Sequence, residues 1–315
     1  MAFSNTVDVA INIYGKPYQT AVTLLSLLRY SEKWINTIYL IEEKEQPFGA
    51  DIELVKYLLK DYKTVHYVPR YFLGISNLLK SYKRYLLKLP VFRYSIRYQY
   101  AWEKSVNPYL FVTHNDVLYT DDLIGAFLNQ IDDAIGIGKV GQCWNCPAYA
   151  AHVCEGNRYE LYHPDFAEVS QLYERFGSRR SSLFTDAISP KRPWPLPECR
   201  LNEFHAMINL RVARPVTMPY GSAYPFGVAD SFDQGARWFR QVSQMGLRVK
   251  HFESDSYAQH GWASDVRSGH GALSDQSVYE VEEQIAYDKL RTEFNIGERI
   301  KQLPSLKAKK WASLP

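Results

Sequence analysis

The first 67 residues alternate between strand and helix at a short, regular spacing. VDVAINIY is an apolar run with strand character, and QTAVTLLSLLRYS sets apolar residues at helical spacing. INTIYLIEE returns to strand, ADIELVKYLLKDY is helical again, and TVHYVP is a short third strand. Strands separated by helices of this length are joined by crossovers rather than hairpins, and crossovers build a mainly parallel sheet. A sheet of that kind is covered by helices on both faces. The chain therefore reads as α/β, with a Rossmann-like, mainly parallel sheet flanked by helices.

The pattern continues through a helix in SIRYQYAWEKS, a strand in PYLFVTH, a helix in LIGAFLNQID and a strand in IGIGKVG. Its texture then changes. Residues 142–200 contain CWNC, CEGNR, YHPDF, FGSRRSS and PKRPWPLPEC, the composition of an irregular insertion with one helix near FAEVSQLYERF. Regular structure resumes in EFHAMINLRVARPV, in the amphipathic SFDQGARWFRQVSQMG and in the short strand LRVKHFES. VYEVEEQIAYDKLRTEF forms a helical extension ahead of the basic IKQLPSLKAKKWASLP. The expected organisation is 1–141, 142–200 as the cysteine-containing insertion, 201–277, and 278–315.

The start, MAFSNTVDVAINIYG, resembles a core strand more than a leader, and no apolar run reaches the length of a membrane span. A cytoplasmic setting is expected, with a peripheral membrane position left open. The net charge of +3 and the lack of a recognisable module argue against nucleic acid. Charge is nonetheless uneven. No acid occurs from Tyr62 to Trp102, an interval that holds Arg84, Arg93, Arg97 and several lysines. This tract reads as a solvated basic face, a site for a phosphate-bearing ligand, or a contact for an anionic membrane.

THNDVLYTDDL, behind the strand YLFV, holds the most informative acids. Ligands of open parallel sheets bind at the carboxyl ends of the strands. Asp116 stands there, directly after His114 and Asn115. A carboxylate at that point can hold a divalent cation that bridges two phosphates and offsets charge on a departing nucleoside diphosphate. Asn115 can orient it or bind the sugar, and His114 can ligate a metal, hydrogen-bond to phosphate, or serve as a satisfied structural histidine. Asp121 and Asp122 read instead as caps of the following helix.

Four cysteines form a separate set: Cys143-x2-Cys146-x7-Cys154, with Cys199 much later. C-x2-C plus two further thiolates matches a structural Zn²⁺ site, which would staple an irregular segment. Buried free thiols, disulfides and redox use are the alternatives.

The sequence resembles GT-A-type glycosyltransferases, in particular the broad family-2-like group that uses nucleotide-sugar donors. INIYGKPYQTAVTLLSLLRYS resembles that fold's opening strand and helix, and NTIYLIEE the place where such enzymes contact the nucleoside base. YLFVTHNDVLY resembles the strand and acidic metal motif, although His114-Asn115-Asp116 keeps only the last acid of the usual pattern. ADSFDQGARWFRQVSQMGLRVKHFESDSYAQHG resembles the segment that supplies a catalytic acid, a helix, a strand and a closing histidine.

The resemblance implies a GT-A-like fold with donor contacts at Glu42 and Glu43, and charge compensation by Arg84, Arg93 or Arg97. It implies Mn²⁺ or Mg²⁺ at Asp116 with His260, and a base at Asp233, with Asp230 and Glu203 as competitors. Helix capping is the plain alternative for Asp230 and Asp233, and a turn position for His260. The implied partners are a nucleotide-sugar donor and a glycan or lipid-linked glycan acceptor, with inversion at the anomeric carbon. A sugar nucleotidyltransferase and a noncatalytic glycan- or nucleotide-sugar-binding protein are the competing readings.

Overall fold

A computed structural model describes residues 6–71, 81–177, 188–228, 233–264 and 270–296. Asp230 and the basic tail lie outside these residues, and so does the side chain of Arg84. The expected alternation is present: β1 (Val7–Ile13), α1 (Pro17–Ser31), β2 (Ile35–Glu42), α2 (Glu53–Leu58) and β3 (Thr64–Tyr67). Further along come β4 (Tyr109–Thr113), β5 (Val117–Tyr119), β6 (Gly136–Val140), β7 (Leu201–Asn209), β8 (Val249–His251) and β9 (Ala258–His260). A long helix, Gln276–Glu293, closes the described chain.

The main sheet has seven strands in the order β3-β2-β1-β4-β7-β6-β8. β7 alone among them runs against its neighbours, β4 and β6. The remaining pairings are parallel. Strand alternation divides the interior into two cores. Val7, Val9, Ile11 and Ile13 of β1 with Phe111 of β4 face α1, α2 and the closing helix. Ala10, Leu110 and Val112 point the other way, toward Trp102, Trp238 and Phe239. Ala148, Tyr159, Val169 and Leu172 of the insertion join that second core. Both faces are thus buried, as a parallel sheet requires.

The small antiparallel ribbon of β5 and β9, with Val117 opposite His260, is not signalled by any long periodic run. Gly136 and Gly138 serve packing: a Cβ at either would press on Leu201 and the β7 backbone. Among the described residues, no helix is long and apolar enough to cross a membrane.

Candidate functional site

The site lies where β1 and β4 end, and α1 organises it. Thr20, Thr23 and Ser26 recur every third residue along α1 and make a buried hydroxyl stripe. Thr20 Oγ1 accepts from Asn115 Nδ2 at 3.1 Å, Thr23 Oγ1 from the Val117 amide at 3.1 Å, and Ser26 Oγ from the Tyr119 amide at 3.1 Å. The stripe supplies one edge of β5 with partners, while β9 pairs with the other. Gly261 N donates to Asp116 O at 2.9 Å, so the ribbon closes beside the acid. A sequence separation of 144 residues between Asp116 and His260 is thereby removed.

Three ligand-bearing side chains converge here. His114 Nδ1 is 3.2 Å from His260 Nε2. Asp116 Oδ1 is 3.4 Å from His260 Nε2 and 4.0 Å from His114 Nδ1. Among the described residues, these form the one group of three or more His, Cys, Asp or Glu whose ligand atoms all approach within 4.8 Å. Phe204 stacks on His260, with ring centroids 4.8 Å apart and planes 11° off parallel, which fixes that imidazole's plane.

Asp116 is buried, and its Oδ1 has no hydrogen-bond partner. The other oxygen, Oδ2, is taken by Lys16 Nζ at 3.0 Å. Burial alone would push this carboxyl up; Lys16, then His260 and His114, bring it well below the usual carboxylate range. A buried, ionised oxygen without a partner beside two imidazole nitrogens fits a cation. Burial also lowers the His114 pKa, which favours the neutral ring that a metal ligand must be.

Lys16 stands at the turn between β1 and α1. It sits in a left-handed conformation at φ 55°, just before Pro17 opens α1. Non-glycine residues hold that conformation only where the surroundings impose it. The closing helix imposes it here. Tyr279 Oη accepts from Lys16 N at 3.1 Å, and Glu282 Oε2 lies 3.7 Å from Lys16 Nζ. Glu283 accepts from the Tyr18 and Gln19 amides at 2.8 and 3.2 Å, satisfying free donors in the first turn of α1.

On the far side of His114, its Nε2 faces Glu203 Oε1 at 3.4 Å without completing a hydrogen bond. Arg200 Nη1 holds the other Glu203 oxygen at 2.9 Å, donates to Gln234 O at 3.0 Å, and lies 3.4 Å from Asp233 Oδ1. Glu203 is buried, which raises its pKa, yet Arg200 and then His114 bring it down to about 2. Gln142 hydrogen-bonds to Asp233 Oδ2, and the Asp233 side chain keeps 35% of its exposure. Asp233 is not the cap of the next helix: Gly235 holds that position, and no side chain caps it. Arg97 joins the group through Gln234 Oε1 at 3.0 Å and stands 3.9 Å from Glu43, whose Oε1 accepts from Asn12 at 2.8 Å.

Other candidates lie elsewhere or are already engaged. Glu42 pairs with His66 Nε2 at 2.7 Å on the β3 side. Arg93 is buried against Glu103 and donates to the carbonyls of Leu87 and Lys88 at 2.8 and 3.0 Å. The Asn115 amide nitrogen is spent on Gly15 O and Thr20, so the residue anchors the turn. Asp122 caps its helix as expected, accepting from Gly125 N at 2.9 Å.

All four cysteines border one small pocket, as free thiols. Burial pushes each of them up, Cys146 and Cys154 to about 12. They are neighbours in space.

No protein-family model matches the sequence, and no curated protein matches it. Similar solved structures exist. A mannosyltransferase from Pyrobaculum calidifontis, in complex with GDP-Man and Mn²⁺, is 9% identical, covers 98% of this chain and 83% of its own, and gives a TM-score of 0.45. Mouse xyloside xylosyltransferase 1 is 14% identical over 79% of this chain and 85% of its own, with a TM-score of 0.40. Glucosyl-3-phosphoglycerate synthase from Mycobacterium tuberculosis, with Mn²⁺, UDP-glucose and phosphoglyceric acid, is 10% identical over 78% and 69%, with a TM-score of 0.40. The roles of individual residues rest on this chain's own geometry.

Proposed function

We propose that the chain is a metal-assisted glycosyltransferase, moving a sugar from a nucleotide donor to a hydroxyl of a glycan or glycolipid acceptor with inversion. The observation that carries this is the convergence of His114, Asp116 and His260 on an unpartnered carboxylate oxygen at the carboxyl end of parallel strands. Two imidazoles and one carboxylate suit Mn²⁺ better than Mg²⁺, which prefers oxygen ligands and retained water. Bound there, the cation would offset charge on the departing nucleoside diphosphate.

The chain's own residues supply the rest. Lys16 fixes Asp116 from the opposite side and keeps it ionised. Asp233, partly exposed and steadied by Gln142 and Arg200, is the best-presented carboxylate to take the proton of an acceptor hydroxyl. Glu203 is closed off by Arg200 and too acidic to serve well as that base. Arg97 and Glu43, backed by Asn12, supply polar groups for the nucleoside part of the donor.

The test is a screen of common nucleotide sugars for binding and slow hydrolysis, with and without Mn²⁺. Mn²⁺-dependent hydrolysis that is lost in D116A while the fold persists supports the transferase. Failure to bind any nucleotide with any metal sinks it. Binding without turnover favours the noncatalytic alternative.

A further inference from the structure

The arrangement behind His114 goes further than the ligand set. We infer that Glu203, clamped by Arg200, is a positioning residue that sets the His114 ring with Nδ1 toward Asp116 and His260. This rests on the metal reading above and deepens it by naming what orients one of the ligands.

The geometry has a direction. His114 Nδ1 faces His260 Nε2 at 3.2 Å and Asp116 Oδ1 at 4.0 Å, whereas Nε2 points the opposite way, to Glu203 Oε1 at 3.4 Å. A neutral imidazole that ligates through Nδ1 carries its proton on Nε2. That N–H is buried, and a buried donor needs an acceptor. Glu203 Oε1 faces it. A histidine ligand whose second nitrogen donates to a carboxylate has its tautomer and plane fixed and its basicity raised.

Glu203 is suited to the task because it cannot turn away. Its other oxygen is bound by Arg200, and Arg200 is itself tied to Gln234 O at 3.0 Å. The carboxylate is buried, so its charge is answered by Arg200 and His114 rather than by water. The same guanidinium lies 3.4 Å from Asp233 Oδ1, so one cation steadies both the proposed base and the carboxylate behind the metal ligand. Backbone pairing keeps the register, since His114 N donates to Phe204 O at 3.1 Å, one residue beyond Glu203.

The experiment is a Mn²⁺ titration of the full chain followed by electron paramagnetic resonance, with nitrogen couplings of the bound ion read by spin-echo modulation. Wild type, D116A, E203A and E203Q are compared, each checked for folding by thermal unfolding. Losing such an outer partner lowers metal affinity by about 10- to 100-fold, so E203A should bind Mn²⁺ that much more weakly. It should also lose one of two imidazole couplings. E203Q keeps the side-chain volume but has one oxygen for two donors, Arg200 and His114 Nε2, so it should fall between wild type and E203A in Mn²⁺ affinity. E203A with wild-type affinity and couplings overturns the inference and leaves the metal reading intact. Should E203A not fold, E203Q with wild-type Mn²⁺ affinity and both imidazole couplings overturns it equally. Wild type that binds no Mn²⁺, or D116A that binds it unchanged, overturns the inference together with the reading beneath it.

Discussion

Two places in this molecule gather residues of the kinds that bind metals, one of two histidines and an aspartate and one of four cysteines, and they differ in how charge is arranged around them. Around Asp116 the ligand atoms already approach one another, an ammonium balances one carboxylate oxygen, and the other oxygen is buried and unpartnered. Around the four cysteines the thiols line a common pocket, and burial pushes every one of them up, with Lys139 and Arg158 acting weakly the other way. The first region keeps charge in place before any ligand arrives. The second buries its sulfurs much as a core buries small apolar side chains. Clustering by residue type is therefore weaker evidence for a site than the arrangement of charge around it.

Four outcomes would sharpen or break that contrast. D116A should lower donor-dependent turnover by about a thousandfold, because a cation at such a site supplies several kcal/mol. Turnover by steady-state kinetics near the wild-type value would remove Asp116 from the centre. D233N should cost about a hundredfold in kcat as a lost general base, with Mn²⁺ affinity unchanged. If it weakened Mn²⁺ instead, the base would have to be sought elsewhere.

The third outcome concerns the latch on α1. Burial raises the Glu283 carboxyl to about 7, above the roughly 4.3 of an unfolded glutamate. The folded chain then holds a proton that the unfolded chain releases, so stability is highest below about 4.3 and falls as pH rises toward 7. E283Q should remove that fall and gain about 2 kcal/mol relative to wild type at pH 8 over pH 5. Denaturant unfolding at the two pH values checks it; parallel curves would show that Glu283 does not titrate there.

The smallest effect belongs to the cysteines. C154S should cost about 1 kcal/mol from a poorly paired buried hydroxyl, and it should leave turnover untouched. Elemental analysis decides the matter of zinc. One equivalent of zinc that is lost in C154S would mean that the thiols do assemble, and the contrast drawn above would fall.

Much of the architecture was legible from periodicity. β1, α1, β2, β4 and the long closing helix fall where their apolar residues put them, because each buries apolar side chains, and β3 follows at the sheet edge with Val65 and Tyr67 half-buried. Two features escaped. The ribbon of β5 and β9 has three residues in each strand, too few to show a period. β7 gives no sequence sign that it runs antiparallel, since direction is set by which neighbours it joins. Site residues divide along the same line. His114, Asp116 and His260 stand out by type and by the motifs around them. Lys16 and Gln142 act through long-range contacts, and Arg200 joins its near neighbour Glu203 to the distant Asp233 and Gln234, links that no local pattern records. Only the hydroxyl spacing of Thr20, Thr23 and Ser26 was there to be noticed.

The closing helix has a consequence for synthesis. The turn bearing Lys16 is made well before the closing helix, and its fastening through Glu283 to Tyr18 spans 265 residues. A chain leaving the ribosome can pair β1, β2 and β4 long before that helix exists. Until Tyr279, Glu282 and Glu283 are made, nothing from that helix holds Lys16 against Asp116. The centre thus matures only once that helix is made, so a nascent chain with its sheet formed still lacks a finished cation seat.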